Sequence, residues 1–224
     1  MKTAGFGLVM FTAMLMCSTA ITAGAGGSHT DALSHAQFTN PVNLFRGAAL
    51  GLKNTDLYAA GIQYFAGEIR ARTDVACYPP AGSGGDSPLA LLGAMNDELS
   101  QAVMPEMTKN PVLFARVTAR LDHWNPAVAS NYSPGWQYRS ACSDYSKIAQ
   151  SYKRKIMTSV DNLSMLLQIP AYKAAFDIAQ AYNLASPEER KKPERIKAAH
   201  KAQAMIIKIE KQKGVYALTS MIHH

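Results

Sequence analysis

Beyond residue 40 apolar residues recur at intervals of three and four, and short runs of turn-formers cut this pattern into segments. That spacing is the period of an amphipathic helix. Asn40-Pro41 opens the first segment as an N-cap followed by proline at the first helical position. Leu44, Phe45, Ala48, Ala49 and Leu52 then share one face. Lys53-Asn54 ends it, Thr55 or Asp56 caps the next, and Leu57, Ala60, Gly61, Tyr64, Phe65 and Ile69 line a second helix to about Arg72. Two helices joined by so short a turn form an αα-hairpin.

Three prolines and three glycines within 77–88 mark a loop. Pro88 starts a third helix through Leu92, Leu99 and Val103, which Pro105 is expected to end or kink. Asn110-Pro111 starts a fourth, running to about Trp124. Residues 125–141 form a second long loop with Tyr132, Trp136 and Tyr138 among Asn, Ser, Pro and Gly. A long helix follows over about 144–167, then one over about 171–184, a capped start at Ser186-Pro187 that Pro193 cuts short, and a last helix over about 194–212 ended by Gly214. No stretch alternates with the period of a strand. The pattern predicts an all-α fold, a single-domain bundle of six or seven helices over 40–224.

The first 40 residues read differently. Lys2 precedes an uncharged run from Phe6 to Ala23, and Ala23-Gly24-Ala25 is a small-residue cleavage site. This is the layout of a secretory signal peptide over residues 1–25. It places the mature chain outside the cytosol, in the periplasm. Residues 26–39 are small and polar and read as a flexible mature N-terminus. Processing removes Cys17 and leaves Cys77 and Cys142, an even number in an exported chain, most simply joined in one disulfide. The bridge closes a loop of 66 residues, counted inclusively, worth roughly 4 kcal/mol in the chain-entropy account.

Charge is segregated. Residues 26–143 carry a net charge of −1 and residues 144–224 a net charge of +7. A basic C-terminal third in an exported chain points to an acidic protein surface or a lipid surface rather than nucleic acid. Membrane contact stays open as a peripheral matter, because nothing after the signal peptide is apolar for long enough to span a bilayer.

Candidate chemistry is sparse. The histidines, among them His29, His123, His200, His223 and His224, show no H-x-x-x-H spacing, so no metal and no cofactor is expected. There is no G-x-S-x-G, and no cysteine is left over for a thiol mechanism. Glu68, Asp122 and His123 are the residues an envelope hydrolase would have to use. Glu68, Arg70, Arg72 and Asp74 form either a buried polar knot or, through the i,i+4 pair Glu68–Arg72, a solvated helix face. Tyr132, Trp136 and Tyr138 are the candidate partner-binding residues, since tyrosine and tryptophan carry much interface energy. The alternative is that Trp136 tucks into the core and pins the loop. Lys153 and Arg154, within the basic run Lys153-Arg154-Lys155, complete the candidate binding set.

Two resemblances bear on these residues. Leu44, Ala48, Ala60 and Tyr64 fall where a tetratricopeptide-type unit puts its packing residues, and the likeness covers about 30 residues with no second unit at a 34-residue offset. Phe45-x-x-Ala48-Ala49, Ala59-Ala60 and Tyr64-Phe65-Ala66-Gly67-Glu68-Ile69-Arg70-x-Arg72 resemble the opening hairpin of small exported helical proteins of the toxin-immunity type, which are encoded beside bacterial toxin genes. The resemblance implies a non-enzymatic protein that neutralises a secreted toxin by protein–protein contact. A helical scaffold or chaperone of the envelope is the alternative.

Overall fold

The computed structural model describes residues 33–82 and 87–215. The expected signal peptide with Cys17, and His29, His223 and His224, lie outside the described residues. Among the described residues there are eight α-helices and no strand. They are α1 (Pro41–Lys53), α2 (Leu57–Cys77), α3 (Pro88–Lys109), α4 (Pro111–Asp122), α5 (Tyr145–Leu167), α6 (Pro170–Asn183), α7 (Pro187–Arg190) and α8 (Pro193–Lys213). The extra element beyond six or seven is α7, a single turn between Pro187 and Pro193.

Side-chain caps set the starts. Asn40, Asp56, Ser87, Asn110, Asp144 and Ser186 each accept a hydrogen bond from a backbone N–H three residues on. Four of these caps are followed at once by proline, which has no N–H to leave unsatisfied there. Gly214 closes α8 in the left-handed conformation, φ 64°.

Two boundaries differ from expectation. Pro105 lies inside α3, which continues to Lys109. Proline costs a helix interior about 3 kcal/mol. Here the continuation buries Met107 and Thr108, and their burial offsets the lost backbone bond. The second difference is in α2, which runs past Arg72 to Cys77, because its polar residues Arg70, Thr73 and Asp74 are buried rather than solvated.

α2 is the centre of the bundle and packs against α1, α3, α4 and α5. It is buried on nearly every side, unlike an amphipathic surface helix. Small residues allow the close approach: a Cβ at Gly51 of α1 would stand 2.8 Å from the backbone nitrogen of Ala60. Residues expected to be flexible also dock, with Leu33 and Ala36 buried and Ala36–Phe38 forming a 3-10 turn.

The loop between α4 and α5 is fastened to the end of α2. Cys77 and Cys142 are joined in a disulfide. Around the bridge Ala81 N–H donates to Gln137 O, Arg139 N–H to Pro79 O and Cys142 N–H to Cys77 O at 3.0, 3.0 and 2.8 Å. Downstream, α8 packs chiefly on α6, and Tyr172 of α6 donates to Glu210 of α8 at 3.0 Å. Among the described residues no helix is long and apolar enough to cross a membrane.

Two glycines give opposite expectations. Gly51→Ala forces a methyl into backbone and should cost about 1–3 kcal/mol. Gly93→Ala on α3 meets nothing within 4 Å and should stabilise by up to about 1 kcal/mol. Urea unfolding of the two variants checks this, and equal effects would contradict the packing. Reducing the disulfide should lower the melting temperature by several degrees, with a drop of about 15 °C as the upper figure. Calorimetry with and without reductant is the measurement, and an unchanged melting point would exclude a stabilising bridge.

Candidate functional site

The densest polar constellation lies where α2 meets the α4–α5 loop. Arg70 and Asp74 sit one helical turn apart on α2 and are 1% and 0% exposed. Ions so buried are tolerated when most of their hydrogen-bonding capacity is met, and here the Arg70 Nε–H alone of the two groups is left without a partner. Arg70 donates through Nη1 to Pro126 O at 3.0 Å and to the Tyr145 hydroxyl at 2.9 Å, and through Nη2 to Ala36 O at 2.9 Å. Its guanidinium also lies 5.7, 5.2 and 5.6 Å from the ring centroids of Trp124, Tyr132 and Tyr145, within cation–π range. Asp74 accepts from both tyrosines: Tyr145 donates to Oδ1 at 2.6 Å, and Tyr132 donates to Oδ2. Tyr145 therefore relays between the cation and the anion.

Electrostatics follow from this enclosure. Burial pushes the Asp74 carboxyl from 3.8 up to about 6, against the opposing pull of its two hydroxyl donors and Arg70. Burial, and then the Asp74 charge, hold the Tyr132 and Tyr145 hydroxyls well above the ordinary phenol range. They remain donors across the whole physiological range.

Of the two readings of Glu68, Arg70, Arg72 and Asp74, each describes half of the set. Arg70 and Asp74 belong to the buried knot. Glu68 is paired instead with Arg72 at 2.8 Å, on the side where Arg72 is partly exposed. Tyr145, the first residue of α5, and Tyr132 are knot members that local sequence spacing does not reveal. One signal could have found Tyr145: Tyr78, Tyr138 and Tyr145 all flank the two cysteines, so joining Cys77 to Cys142 gathers them. Tyr78 indeed stands 6.2, 4.9 and 5.8 Å from the rings of Tyr132, Tyr138 and Tyr145.

The candidate binding residues of the loop divide. Tyr132 is turned inward to Asp74. Trp136 is half-buried against the core, and its indole N–H donates to Tyr78 O at 2.8 Å. Tyr138 is 45% exposed. Of the two basic candidates, Lys153 donates to Asp122 O at 2.6 Å and Trp124 O at 2.8 Å. It caps the last carbonyls of α4, where a cation also suits the helix dipole. Burial lowers its pKa, and the nearby Asp122 opposes that. Arg154 is exposed on the rim of a cleft of about 300 Å³ between α4 and α5, whose walls include Asp122, Gln150, Thr158 and Asp161. Burial, then Asp122, raises the pKa of Asp161. His123 is the C-cap residue of α4. Among the described residues no group of three His, Cys, Asp or Glu side chains comes together.

Comparison of the chain with protein-family models, with curated proteins and with solved structures finds no match.

Asp74 makes stability depend on pH in a defined direction. Its proton is held in the folded protein up to about pH 6 and in the unfolded chain only to about pH 4. The stability this group contributes is therefore full below about pH 4 and is lost as the pH rises to about 6, by about 3 kcal/mol. Urea unfolding at pH 4 and pH 7 should show the difference between wild type and Asp74→Asn changing by about that amount, and a constant difference would refute the assignment. Tyr145→Phe removes a hydroxyl from both ions and should cost about 1–3 kcal/mol at neutral pH.

Proposed function

We propose that this is an exported, periplasmic protein that acts without catalysis by binding another protein, in the manner of an immunity protein that neutralises a secreted toxin. The observation that carries this reading is the fixed loop between α4 and α5. A disulfide, three backbone hydrogen bonds and the Arg70–Asp74 knot hold 125–142 in one shape while leaving Tyr138 outward. A surface ordered before the partner arrives loses little entropy on association. An exposed tyrosine on such a surface is an efficient anchor, with large contact area and few rotors. Arg154, exposed at the α4–α5 cleft, supplies a charge for an acidic partner.

The same arrangement changes the roles of the candidate residues. Tyr132, Trp136 and Lys153 act through the loop, by holding it in place. Tyr138 and Arg154 are the ones free to touch a partner.

The test is capture of the products of neighbouring genes by the co-expressed, affinity-tagged protein, with protection from any toxin among them. One dominant partner is expected, and Tyr138→Ala with Arg154→Glu should weaken it by about tenfold or more. Failure to bind any neighbouring product would sink the immunity reading. Many partners of similar weight would favour the scaffold alternative instead.

A further inference from the structure

The outer helix α8 sorts its charges. Counting 3.6 residues per turn, Ala199, Ala202, Ile206, Ile209 and Glu210 share the face that is buried. Glu210 is turned inward to the Tyr172 hydroxyl, and the other carboxylate of the helix, Glu194, is exposed in its first turn at the edge of the opposite face, the single acid there against four bases. The opposite face carries Lys197, Lys201, Lys208 and Lys211, all exposed. These four fall within an arc of about 80° and span about 21 Å along the axis. No ion pair holds any of them among the described residues. Two exposed apolar side chains border the stripe, Ile207 on one side at 56% exposure and Met205 on the other at 37%.

We propose that this face of α8 docks on an anionic phospholipid surface, with the four lysines over the phosphates and Ile207 and Met205 at the two edges of the contact. Charge complementarity demands an anionic occupant, and the residue types choose which one. Lysine is depleted at protein–protein interfaces, where arginine, tyrosine and tryptophan take its place. The stripe holds lysine alone. An ammonium is a point charge that needs no matched geometry, and its stem lies along apolar material while its head stays wet. A mobile array of lipid phosphates suits such groups, and clusters of four or more basic residues on an amphipathic helix are what such membranes attract. The inference is independent of the protein-binding reading, because it uses none of the loop residues.

The experiment is co-sedimentation of the full chain with vesicles of phosphatidylcholine alone and of phosphatidylcholine mixed with phosphatidylglycerol. Neutral vesicles report whatever the apolar residues 6–23 contribute. Binding should be stronger to the mixed vesicles and should fall with added salt. Each lysine near such a surface is worth about fivefold, so K197Q/K201Q/K208Q/K211Q should weaken binding by about a hundredfold after screening. A charge-matched variant, K53Q/K109Q/K147Q/K155Q, removes four exposed lysines elsewhere and should keep most of the affinity. The inference is overturned if neutral and mixed vesicles bind alike, if salt has no effect, or if both variants lose affinity equally. It is also overturned if the α8 variant keeps vesicle binding and loses a protein partner instead.

Discussion

Arg70 and Asp74, one turn apart on the most buried helix, set terms that the rest of the chain has to meet. Either ion alone in that place would cost several kcal/mol. Neither α2 nor its helical neighbours supply enough partners. The donors and acceptors come from segments far away in sequence: Ala36 O ahead of α1, Pro126 O and Tyr132 in the loop, and Tyr145 at the start of α5. A chain that misplaces any of these leaves a buried charge short of a partner. The knot therefore specifies the arrangement of the loop and of the N-terminal segment more than it adds stability, since an apolar core of equal volume would stabilise at least as well.

The disulfide acts on the same region by other means. It shortens the path between the end of α2 and the start of α5 in the unfolded chain, and so reduces the entropy lost when Tyr145 reaches Asp74. The knot and the bridge also lie within one helical turn of each other on α2, at Asp74 and Cys77. Loss of one leaves the other, with the backbone bonds at 137 and 139, to hold the loop. A long loop without regular structure is ordinarily a mobile one. This one is anchored at 126, 132, 136, 137, 139, 142 and 145.

Helix positions were legible because their signals are local. Asn40-Pro41, Ser87-Pro88, Asn110-Pro111 and Ser186-Pro187 need only a few residues to be read, and all four cap helices in the fold. The disulfide followed from a count of two. What failed were the places where burial depends on distant partners. Arg70, Thr73 and Asp74 look like the polar end of a helix until Tyr132 and Tyr145 arrive from 58 and 71 residues away. Pro105 looks like a terminator until Met107 and Thr108 are seen to be buried beyond it. Tyr132 looked like a partner-binding residue because an aromatic in a turn-rich loop carries the same local signature whether it faces inward or outward. Only the position of Asp74 decides between them.

The uneven charge along the chain acquires a physical meaning from this division. The N-terminal part, net −1, keeps Arg70 and Asp74 inside the bundle, bridged by the Tyr145 hydroxyl. The C-terminal part, net +7, turns its one deeply buried carboxylate, Glu210, inward to a tyrosine and leaves lysines outside. The helix register sets this outcome. Glu210 stands two residues from Lys208 and one from Lys211, spacings that do not bring side chains together on a helix, so its place on the buried face turns the acid to the Tyr172 hydroxyl and leaves both lysines without a carboxylate beside them.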